Sequence, residues 1–495
     1  MRISSKIRLF LPMLIACLNL VLASHLMAQA LGALHSFDDS NDGRYADNEL
    51  VLSGQTLYGT ASVGGSFDRG TIFSINTDGN NFTILHNFTP NVYPPETNTD
   101  GSYPSAGLTV SGNTLYGTTS QGGTSLVGTV FRVNTDGTGY TNLHSFISLP
   151  YNYPISTNDD GAYPQTILAL DGGRLYGTTP RGGTLGNGTV FAVNTDGTGF
   201  SVLHHFISSE GYDSRGGLIL SGNTLYGTTT DSSPGTGTIF KVNTNGMGFT
   251  VLHRFANIPN YPSPSTNSDG GEPFGTLILS SNTLYGTTLI GGKGYGTVFA
   301  VNTDGTGFTN LYFFDAVDGN AQTNTGGAFP KGRLVLIGNT LIGTTSGSAN
   351  FGYGTIFAVN TNGSGFTTLH SFPLGTAAPI NLNLNDDGDV PVTGLIQSGF
   401  DLFGTTEQGG SFGHGTLYRF SLLPQIALAM SGTNIVLTWP EHNVGFTNGF
   451  TLESTTNLGP PVSWSHGSPP PTIVNGLNTV TNSVSGGQMF FRLRQ

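Results

Sequence analysis

The sequence predicts an all-β fold: a seven-bladed β-propeller closed by an N-terminal strand and followed by a small β-sandwich. Three observations support this prediction: a composition rich in glycine and poor in charge, a four-strand pattern that recurs seven times, and a last repeat that lacks one strand. Glycine accounts for 74 of 495 residues, while 9% of the residues are charged and 11% are aromatic. This composition argues against coiled coils, helical bundles and disordered polyelectrolytes, and it favours short strands joined by tight turns.

The N-terminus predicts a secretory signal peptide in residues 1–30. Three basic residues precede an apolar stretch, and Ala28-Gln29-Ala30 has the small-residue pattern of a cleavage site. We therefore expect bacterial export to a secreted or cell-surface location. The alternative is a lipoprotein, because residues 14–17 resemble a lipoprotein box in which Cys17 is lipidated. The apolar run continues beyond Cys17, which favours one continuous signal.

Charge and cysteine content exclude several kinds of partner and cofactor. Cys17 is the only cysteine, so the mature chain is expected to contain neither disulfides nor thiolate metal sites. The whole chain carries 17 basic and 29 acidic residues. Nucleic acid is therefore not an expected partner, because binding its backbone relies on clustered Lys and Arg. We also expect no integral membrane span in the mature chain.

Two strand motifs recur seven times. A Leu-Tyr-Gly-Thr-Thr-like segment, strand b, has its second residue at Tyr58, Tyr116, Tyr176, Tyr226, Tyr285, Ile342 and Phe403. A Gly-Thr-Val-Phe-like segment, strand c, ends at Phe73, Phe131, Phe191, Phe240, Phe299, Phe357 and Tyr418. The repeat length of about 56 residues suits a four-stranded propeller blade and exceeds one coil of a β-helix.

Each repeat supplies two further strands. Strand a is a short apolar run such as residues 217–220, and a Ser-Gly-Asn-Thr-like turn joins it to strand b. An Asn-Thr-Asp-Gly turn leads from strand c to strand d, because Asn, Asp and Gly accept the positive φ that a short hairpin requires. Strand d occurs at Leu34, Leu85, Leu143, Leu203, Leu252, Leu311 and Leu369.

The ends of the repeat region predict how the propeller closes. The first strand d precedes any strand a, and the seventh repeat stops after its strand c. We expect residues 33–37 to complete the seventh sheet beside residues 416–420. This arrangement removes the unpaired edges that an open array would expose.

The repeat resembles the GloVer tandem repeat of exported bacterial choice-of-anchor proteins. The resemblance covers residues 31–423 and rests on the Tyr-Gly-Thr-Thr, Gly-Gly, Gly-Thr-Val-Phe, Asn-Thr-Asp-Gly and Leu-His-x-Phe elements described above. It implies export, a repeat domain and a variable C-terminal sorting region, and it implies no activity. Ile342 and the segment 232–235 depart from the pattern, so repeats six and four match it least.

Residues 424–495 contain short strand patterns between Pro, Gly and Asn turns. They predict a small β-sandwich that resembles the fibronectin-type-III-like tails of exported bacterial proteins. A spacer or sorting role is the simplest interpretation of this tail.

The long d-to-a connections and the b-to-c loops are expected on one face of the propeller. The connections hold most of the carboxylates, so this long-loop face is predicted to be acidic and to carry the function. The residues predicted to bind a partner there are Asp100, Asp160, Asp269, Asp387, Glu210 and Glu272. The alternative is that these acids only solvate turns.

A repeated Asn-x-Asp-Gly spacing in these connections resembles the start of a calcium loop; Asn98-x-Asp100-Gly101 is one of four copies. All four lack the distal bidentate Glu, and an Asx turn before glycine accounts for the pattern. The sequence therefore predicts no cofactor and no metal site, with calcium as the alternative.

Six histidines share one position of strand d, and Tyr312 takes that position in the fifth repeat: His35, His86, His144, His204, His253 and His370. Strand d is the outermost strand of a blade, so these side chains cannot converge on one substrate. We expect them to pack beside the phenylalanine two residues further on.

Two functions remain open from the sequence. The first is a non-catalytic scaffold that binds a protein, a glycan or a surface component through the long-loop face. The alternative is a glycoside hydrolase or polysaccharide lyase that uses paired carboxylates, with the unrepeated acids Glu210, Glu272 and Asp389 as candidates. The first interpretation is preferred, because a fold by itself supplies no chemistry.

Overall fold

The computed structural model describes residues 31–90, 98–150, 156–258, 266–315, 326–347, 354–373, 376–377, 383–423, 427–431, 434–440, 451–455, 465–466, 469–474, 477–483 and 490–494. Leu31–Phe420 forms one compact unit, and a second unit includes Ser421–Gln495. The predicted signal peptide and the lipidation alternative at Cys17 lie outside the described residues.

The protein is all-β and is built from four-stranded antiparallel sheets of the kind found in β-propellers. Seven such sheets occur in the described residues of Leu31–Phe420, each with its strands in the order a, b, c, d. No helix in the described part of the chain has the length and apolar character needed to span a bilayer.

The strand bounds repeat closely from sheet to sheet. Strand a spans Val51–Ser53, Thr109–Ser111, Ala169–Asp171, Ile219–Ser221, Ile278–Ser280, Val335–Ile337 and Ile396–Ser398. Strand b spans Thr56–Ala61, Thr114–Thr119, Arg174–Thr179, Thr224–Thr229, Thr283–Thr288, Thr340–Thr345 and Asp401–Thr405. Strand c spans Thr71–Asn76, Thr129–Asn134, Thr189–Asn194, Thr238–Asn243, Thr297–Asn302, Thr355–Asn360 and Thr416–Ser421. Strand d spans Thr83–Asn87, Thr141–Ser145, Ser201–His205, Thr250–Arg254, Thr309–Phe313 and Thr367–Ser371.

The seventh sheet takes its strand d from the start of the described chain. Leu31–Ser36 pairs antiparallel with Thr416–Ser421, with Leu31 opposite Phe420. The predicted pairing of the opening segment with the last strand c is confirmed. Two d-to-a connections contain short extra strands that pair with the b-to-c loops. Asn98–Ser102 pairs with Gln121–Gly123, and Asn383–Asp389 pairs with Gln408–Gly410 and with Thr376–Ala377.

The glycine of strand b is required by the phenylalanine of strand c. A Cβ added at Gly59 would lie 2.5 Å from the Phe73 ring and 2.8 Å from Leu50. The ring therefore occupies the space that any other residue would need. In the seventh sheet Tyr418 replaces phenylalanine, and its hydroxyl lies against Gly404.

Hydrophobic clusters join neighbouring sheets. In one cluster Leu57 and Phe73 of the first sheet pack with Phe403 and Leu417 of the seventh. The first and last sheets therefore share a core in the same way as consecutive sheets do.

Six of the seven strands d also stack on the following sheet through an aromatic pair; in the remaining one the His370 ring is tilted by 55° from Phe420, with centroids 6.2 Å apart. The His144 ring lies parallel to Phe200 with centroids 3.7 Å apart, and it meets Phe146 edge-on at 4.8 Å. Equivalent parallel stacks join His35 to Phe82, His86 to Tyr140, His204 to Phe249, His253 to Phe308, and Tyr312 to Phe366. The expected contact with the phenylalanine two residues further on is therefore present.

The C-terminal unit contains two sheets. Ala427–Ser431, Asn434–Pro440, Leu477–Ser483 and Thr472–Val474 form a four-stranded sheet, and Ser465–His466, Thr451–Thr455 and Phe490–Arg494 form a three-stranded one. Trp439 is buried. The fibronectin-III-like assignment stays a prediction.

Candidate functional site

Each d-to-a connection ends in an eight-residue segment that runs from a glycine to a leucine, as in Gly43–Leu50. The second residue after this glycine has a left-handed backbone in all seven repeats, with φ between 53° and 60°: Tyr45, Tyr103, Tyr163, Asp213, Glu272, Phe329 and Val390. This conformation costs about 1–2 kcal/mol for a residue other than glycine. Backbone hydrogen bonds hold it; Tyr45 O accepts from Ser62 N at 3.1 Å, for example. The turn is therefore a constant feature of the scaffold.

The fourth residue after this glycine is different in every repeat, and we call it the variable position. Its seven residues are Asp47, Ser105, Gln165, Arg215, Phe274, Lys331 and Val392. All seven line one pocket of about 460 Å³, here named the seven-repeat pocket. This volume lies within the range of about 300–1,000 Å³ that is typical of small-molecule sites.

One side of the seven-repeat pocket is cationic and aromatic. Arg215 donates from Nε and Nη2 to the Asp213 carboxylate at 2.9 and 3.2 Å, and from Nη1 to Gln165 at 3.2 Å. The Arg215 guanidinium carbon lies 5.7 Å from the centroid of the Phe274 ring, and Lys331 Nζ lies 4.9 Å from it. Both distances allow cation–π attraction.

The other side of the pocket is acidic. Ser62 Oγ donates to Asp47 at 2.8 Å, but burial raises the pKa of the Asp47 carboxyl. Burial and the nearby Asp47 charge raise the pKa of Glu407, while the Lys331 charge opposes this shift. These two carboxyl groups would gain from a hydrogen-bond donor or a positive charge in the pocket.

A third pocket acid, Glu49, faces a cation from a distant repeat. Burial raises the pKa of Glu49, and Arg333 Nη1 lies 4.0 Å from its carboxylate. Glu49 belongs to the first repeat and Arg333 to the sixth, so the two residues come from the repeats on either side of the seventh. Gly394 of the seventh repeat packs against the Arg333 backbone and Cβ. The segments that precede strand a in these three repeats therefore lie close together.

Asp389 adds a buried carboxyl group beside the pocket. It is fully buried, and neither of its carboxylate oxygens has a hydrogen-bond partner. Burial and the Glu407 charge raise its pKa to about 7. Asp389 pairs in register with Gln408, the residue after Glu407. The other repeats place Arg44, Ser102, Ala162, Tyr212, Gly271 and Ala328 at this position, so the acid is specific to the seventh repeat.

Five of the six predicted binding residues lie in pairs with the strand d histidines instead of in the pocket. These edge pairs, which also include His35 with Asp42, have nitrogen-to-oxygen distances of 2.5–3.6 Å: His35–Asp42, His86–Asp100, His144–Asp160, His204–Glu210, His253–Asp269 and His370–Asp387. Five of these acids also accept from the backbone N–H just after strand d, as Asp160 does from Ile147 at 3.0 Å; the residue at that position near Asp387 is Pro373, which has no N–H. Each such carboxylate ties the end of its connection to the start. Their predicted role in binding a partner stays a prediction.

Glu272, the sixth predicted residue, has the left-handed backbone described above and lies outside the lining of the seven-repeat pocket. Burial and the charges of Asp231 and Asp213 raise its pKa. None of the three unrepeated acids proposed for catalysis lines the seven-repeat pocket: Glu210 is in an edge pair, and Asp389 lies beside Glu407.

The calcium-like spacing forms Asx turns in the copies at Asn98, Asn158 and Asn267. Their side-chain oxygens accept from the N–H of the glycine three residues further on, at 2.8, 3.0 and 2.9 Å. In the described residues no group of three or more His, Cys, Asp or Glu side chains is placed to hold a metal. Calcium binding stays the alternative prediction.

Neither the variable position nor the edge pairs were predicted. A search for recurring residue types passes over a position at which all seven residues differ. Aligning the seven glycine-to-leucine segments would have found it, because the leucine is constant while the variable position carries both charges, two neutral polar groups, an aromatic ring and an aliphatic side chain.

Solved structures similar to this chain have low sequence identity. An oligogalacturonate lyase in complex with manganese is 9% identical, with a TM-score of 0.47 over 79% of this chain and 93% of that chain. A Niastella koreensis GH74 enzyme is 12% identical, with a TM-score of 0.44 over 94% of this chain and 72% of that chain. A nidogen/laminin complex gives 14% identity and a TM-score of 0.35 over 61% of this chain and 90% of that chain. No curated protein sequence matches the chain.

A repeat family covers most of the sequence. The Gloeobacter/Verrucomicrobia repeat matches residues 23–158, 152–323 and 260–434. These matches span the seven sheets described above and confirm the resemblance to the GloVer tandem repeat. The chain belongs to the Gloeobacter/Verrucomicrobia repeat family.

Proposed function

We propose that this protein is an exported, non-catalytic seven-bladed β-propeller that binds a glycan through the seven-repeat pocket on its long-loop face. In this proposal the N-terminal strand closes the propeller and the C-terminal sheets form a small β-sandwich. The pairing of Leu31–Ser36 with Thr416–Ser421 and the cluster shared by the first and last sheets support closure. The Glu49–Arg333 pair supports a narrow central opening beneath the pocket.

The observation that carries the proposal is the chemistry of the variable position. The surrounding scaffold repeats seven times, yet no two of the side chains that line the pocket at this position are alike. A purely structural position in a repeat protein has the same neighbours in each copy and favours the same residue type. Seven different residues around one pocket are typical of a surface that recognises an asymmetric ligand.

The polar lining favours a glycan as this ligand. Gln165 and Ser105 supply neutral donors and acceptors, while Asp47 and Lys331 supply charged ones. Sugar hydroxyls both donate and accept, so they match such a mixed lining. Tyr45, which is 39% exposed at the pocket, offers an aromatic face on which a sugar ring can pack.

A glycan array and a polysaccharide hydrolysis screen on the mature chain test the proposal. We expect binding without sugar release, and we expect Gln165→Ala and Asp47→Asn to reduce binding at least about tenfold each. Met247→Ser is the matched control, because Met247 lies in a c-to-d turn and is 70% exposed. No binding to any glycan, or equal binding by the pocket variants and the control, would contradict the proposal. Binding of a protein or another surface component instead would also contradict the choice of ligand.

A glycoside hydrolase or polysaccharide lyase is the second candidate. It is favoured by the acids Asp47 and Glu407 in the pocket and Asp389 beside it, because all three have raised pKa values and a general acid must be protonated near neutral pH. Sugar release that Glu407→Gln abolishes, with glycan binding retained, would establish this candidate over the first. Absence of release from every polysaccharide that binds would exclude it for those ligands.

A further inference from the structure

The charges of the seven-repeat pocket are segregated by repeat. The cations Arg215 and Lys331 come from the fourth and sixth repeats and approach the same Phe274 ring from the fifth. The acids Asp47 and Glu407 come from the first and seventh repeats. A ligand in this pocket therefore meets a positive side and a negative side.

The positive side suits an anionic group. Phe274 is uncharged and holds two cations within 6 Å of its ring centroid. Cations brought together in this way repel each other, so a carboxylate placed beside them is favoured. Asp213 already pairs with Arg215 at 2.9 Å, which orients the guanidinium. The Lys331 ammonium is the second cation of this side, and its charge also lowers the pKa of Asp47 and Glu407.

The negative side suits a cationic group. Asp47 and Glu407 are close enough for the charge of one to raise the pKa of the other. An ammonium group would favour the ionised form of both carboxyl groups. Arg333 lies 4.0 Å from the Glu49 carboxylate, whereas at Asp47 and Glu407 the Lys331 charge only partly offsets the rise in pKa that burial causes.

We propose that the seven-repeat pocket selects a zwitterionic sugar, whose carboxylate lies toward Lys331 and Arg215 and whose ammonium lies toward Asp47 and Glu407. The inference rests on the proposed glycan binding and names its ligand class. A sugar with only a carboxylate would meet repulsion on the acidic side, and a sugar with only an ammonium would meet repulsion on the basic side. Charge-assisted hydrogen bonds are also about twice as strong as neutral ones.

Titration calorimetry on the mature chain with five related sugars tests this selectivity at pH 7. Glucose is neutral, glucuronic acid and N-acetylmuramic acid are anionic, glucosamine is cationic, and muramic acid carries both a carboxylate and an ammonium. We expect muramic acid to bind about tenfold more tightly than each of the other four sugars. The comparison of muramic acid with its N-acetyl form removes the positive charge and keeps the carboxylate, while it adds an acetyl group.

Two pocket variants assign each charge to its side. Lys331→Met is expected to lower muramic acid affinity to that of glucosamine, and Asp47→Asn is expected to lower it to that of N-acetylmuramic acid. Met247→Ser, in an exposed c-to-d turn, should change neither affinity. Thermal melting checks that the variants fold, and Lys331→Gln replaces Lys331→Met if the latter does not.

The outcomes separate this inference from the proposed function. Equal affinity for all five sugars, or selectivity for muramic acid that both variants retain, would contradict the zwitterion inference and leave glycan binding in place. No binding to any of the five sugars, with other glycans bound on the array, would also contradict only the inference. A chain that binds no carbohydrate in either experiment would contradict both.

Discussion

The edge pairs and the variable position differ in how closely their residues repeat. At the edge, six repeats carry the same histidine and an acidic partner, and each histidine ring has the same phenylalanine beside it. At the variable position no residue type occurs twice. Both sets of residues lie at the ends of the same d-to-a connections, so the difference does not come from exposure or loop length alone. It teaches that repetition marks structural residues in this protein and that variation marks candidate recognition residues.

The fifth repeat shows that the edge pair acts as a unit. Tyr312 replaces the histidine there, and Gly326 stands where the other repeats have the acid before the glycine. Tyr312 keeps the stack on the next sheet, with its ring centroid 3.6 Å from that of Phe366. The aromatic stack is therefore kept in the repeat in which the ion pair is absent.

The largest expected effect separates the edge from the pocket. His144→Ala removes the stack on Phe200 and leaves the buried Asp160 without its histidine, so we expect a loss of about 3 kcal/mol in the free energy of unfolding. Gln165→Ala, in the same connection, should cost less than about 0.5 kcal/mol because it serves the pocket. Urea denaturation of both variants measures the difference. Equal losses would show that the pocket residues are structural as well.

The second prediction concerns Asp389, an acid that the other repeats lack at this position and whose carboxylate oxygens have no hydrogen-bond partner. Its folded pKa of about 7 exceeds the ordinary value of 3.8, so its ionisation opposes folding. This cost is absent below pH 4, grows as pH rises from 4 to 7, and stays constant above. The shift corresponds to at most about 4 kcal/mol, and an unpaired amide retains part of that cost, so we expect Asp389→Asn to stabilise the protein by about 2 kcal/mol at pH 8.

Urea denaturation at pH 4, 6 and 8 checks the Asp389 prediction. The stability gain of Asp389→Asn over the natural chain should increase from the first pH to the last. A gain that is independent of pH would contradict the raised pKa of Asp389. A loss of stability at pH 8 would show that the carboxylate has a stabilising partner above neutral pH.

The third prediction uses Tyr418, the one tyrosine among the seven aromatic residues at the third position of strand c. Its hydroxyl is buried and has no hydrogen-bond partner. Tyr418→Phe restores the residue of the other six repeats and should raise the free energy of unfolding by about 1 kcal/mol. Phe357→Tyr is the matched reverse change and should lower it, since it would bury a hydroxyl against Gly343. Thermal melting of both variants measures these shifts, and a destabilised Tyr418→Phe would contradict the prediction.

The smallest expected effect tests whether the edge pair can be transplanted. Tyr312→His together with Gly326→Asp should create a seventh pair, with a coupling of about 0.5–1 kcal/mol in a double-mutant cycle. Thr355 Oγ1 donates to Gly326 O at 3.3 Å, as Thr189 Oγ1 donates to Asp160 O at 3.2 Å, so the backbone is already in place. A coupling near zero would mean that the pair depends on more than these two positions.

Much of the scaffold could be predicted because its signals are local. The Tyr-Gly-Thr strands, the Asn-Thr-Asp-Gly turns and the strand that Leu31–Ser36 supplies to the seventh sheet all follow from short motifs and their order. The edge pairs could not be read in this way, because 16 residues separate His144 from Asp160 and only the folded connection brings them together. The sequence indicates the pair only indirectly, because the histidine and the acid are replaced together in the fifth repeat, by Tyr312 and Gly326.

The pocket was harder to predict for a different reason. Its residues come from all seven repeats, and Asp47, Phe274 and Lys331 share no residue type that a motif search would collect. The raised pKa of Asp389 also depends on burial and on Glu407, which lies 18 residues away in the chain. Candidate recognition residues of this kind are found only when equivalent positions are compared for their differences.

The left-handed turn beside the pocket tolerates Tyr, Asp, Glu, Phe and Val without changing its backbone. The chain can therefore exchange the neighbouring contact residue while the sheet beneath it stays folded. If the variable position binds the ligand as proposed, a single substitution in one repeat would change the ligand preference without changing the fold. For protein engineering, the seven residues of the variable position could be randomised independently in a combinatorial library.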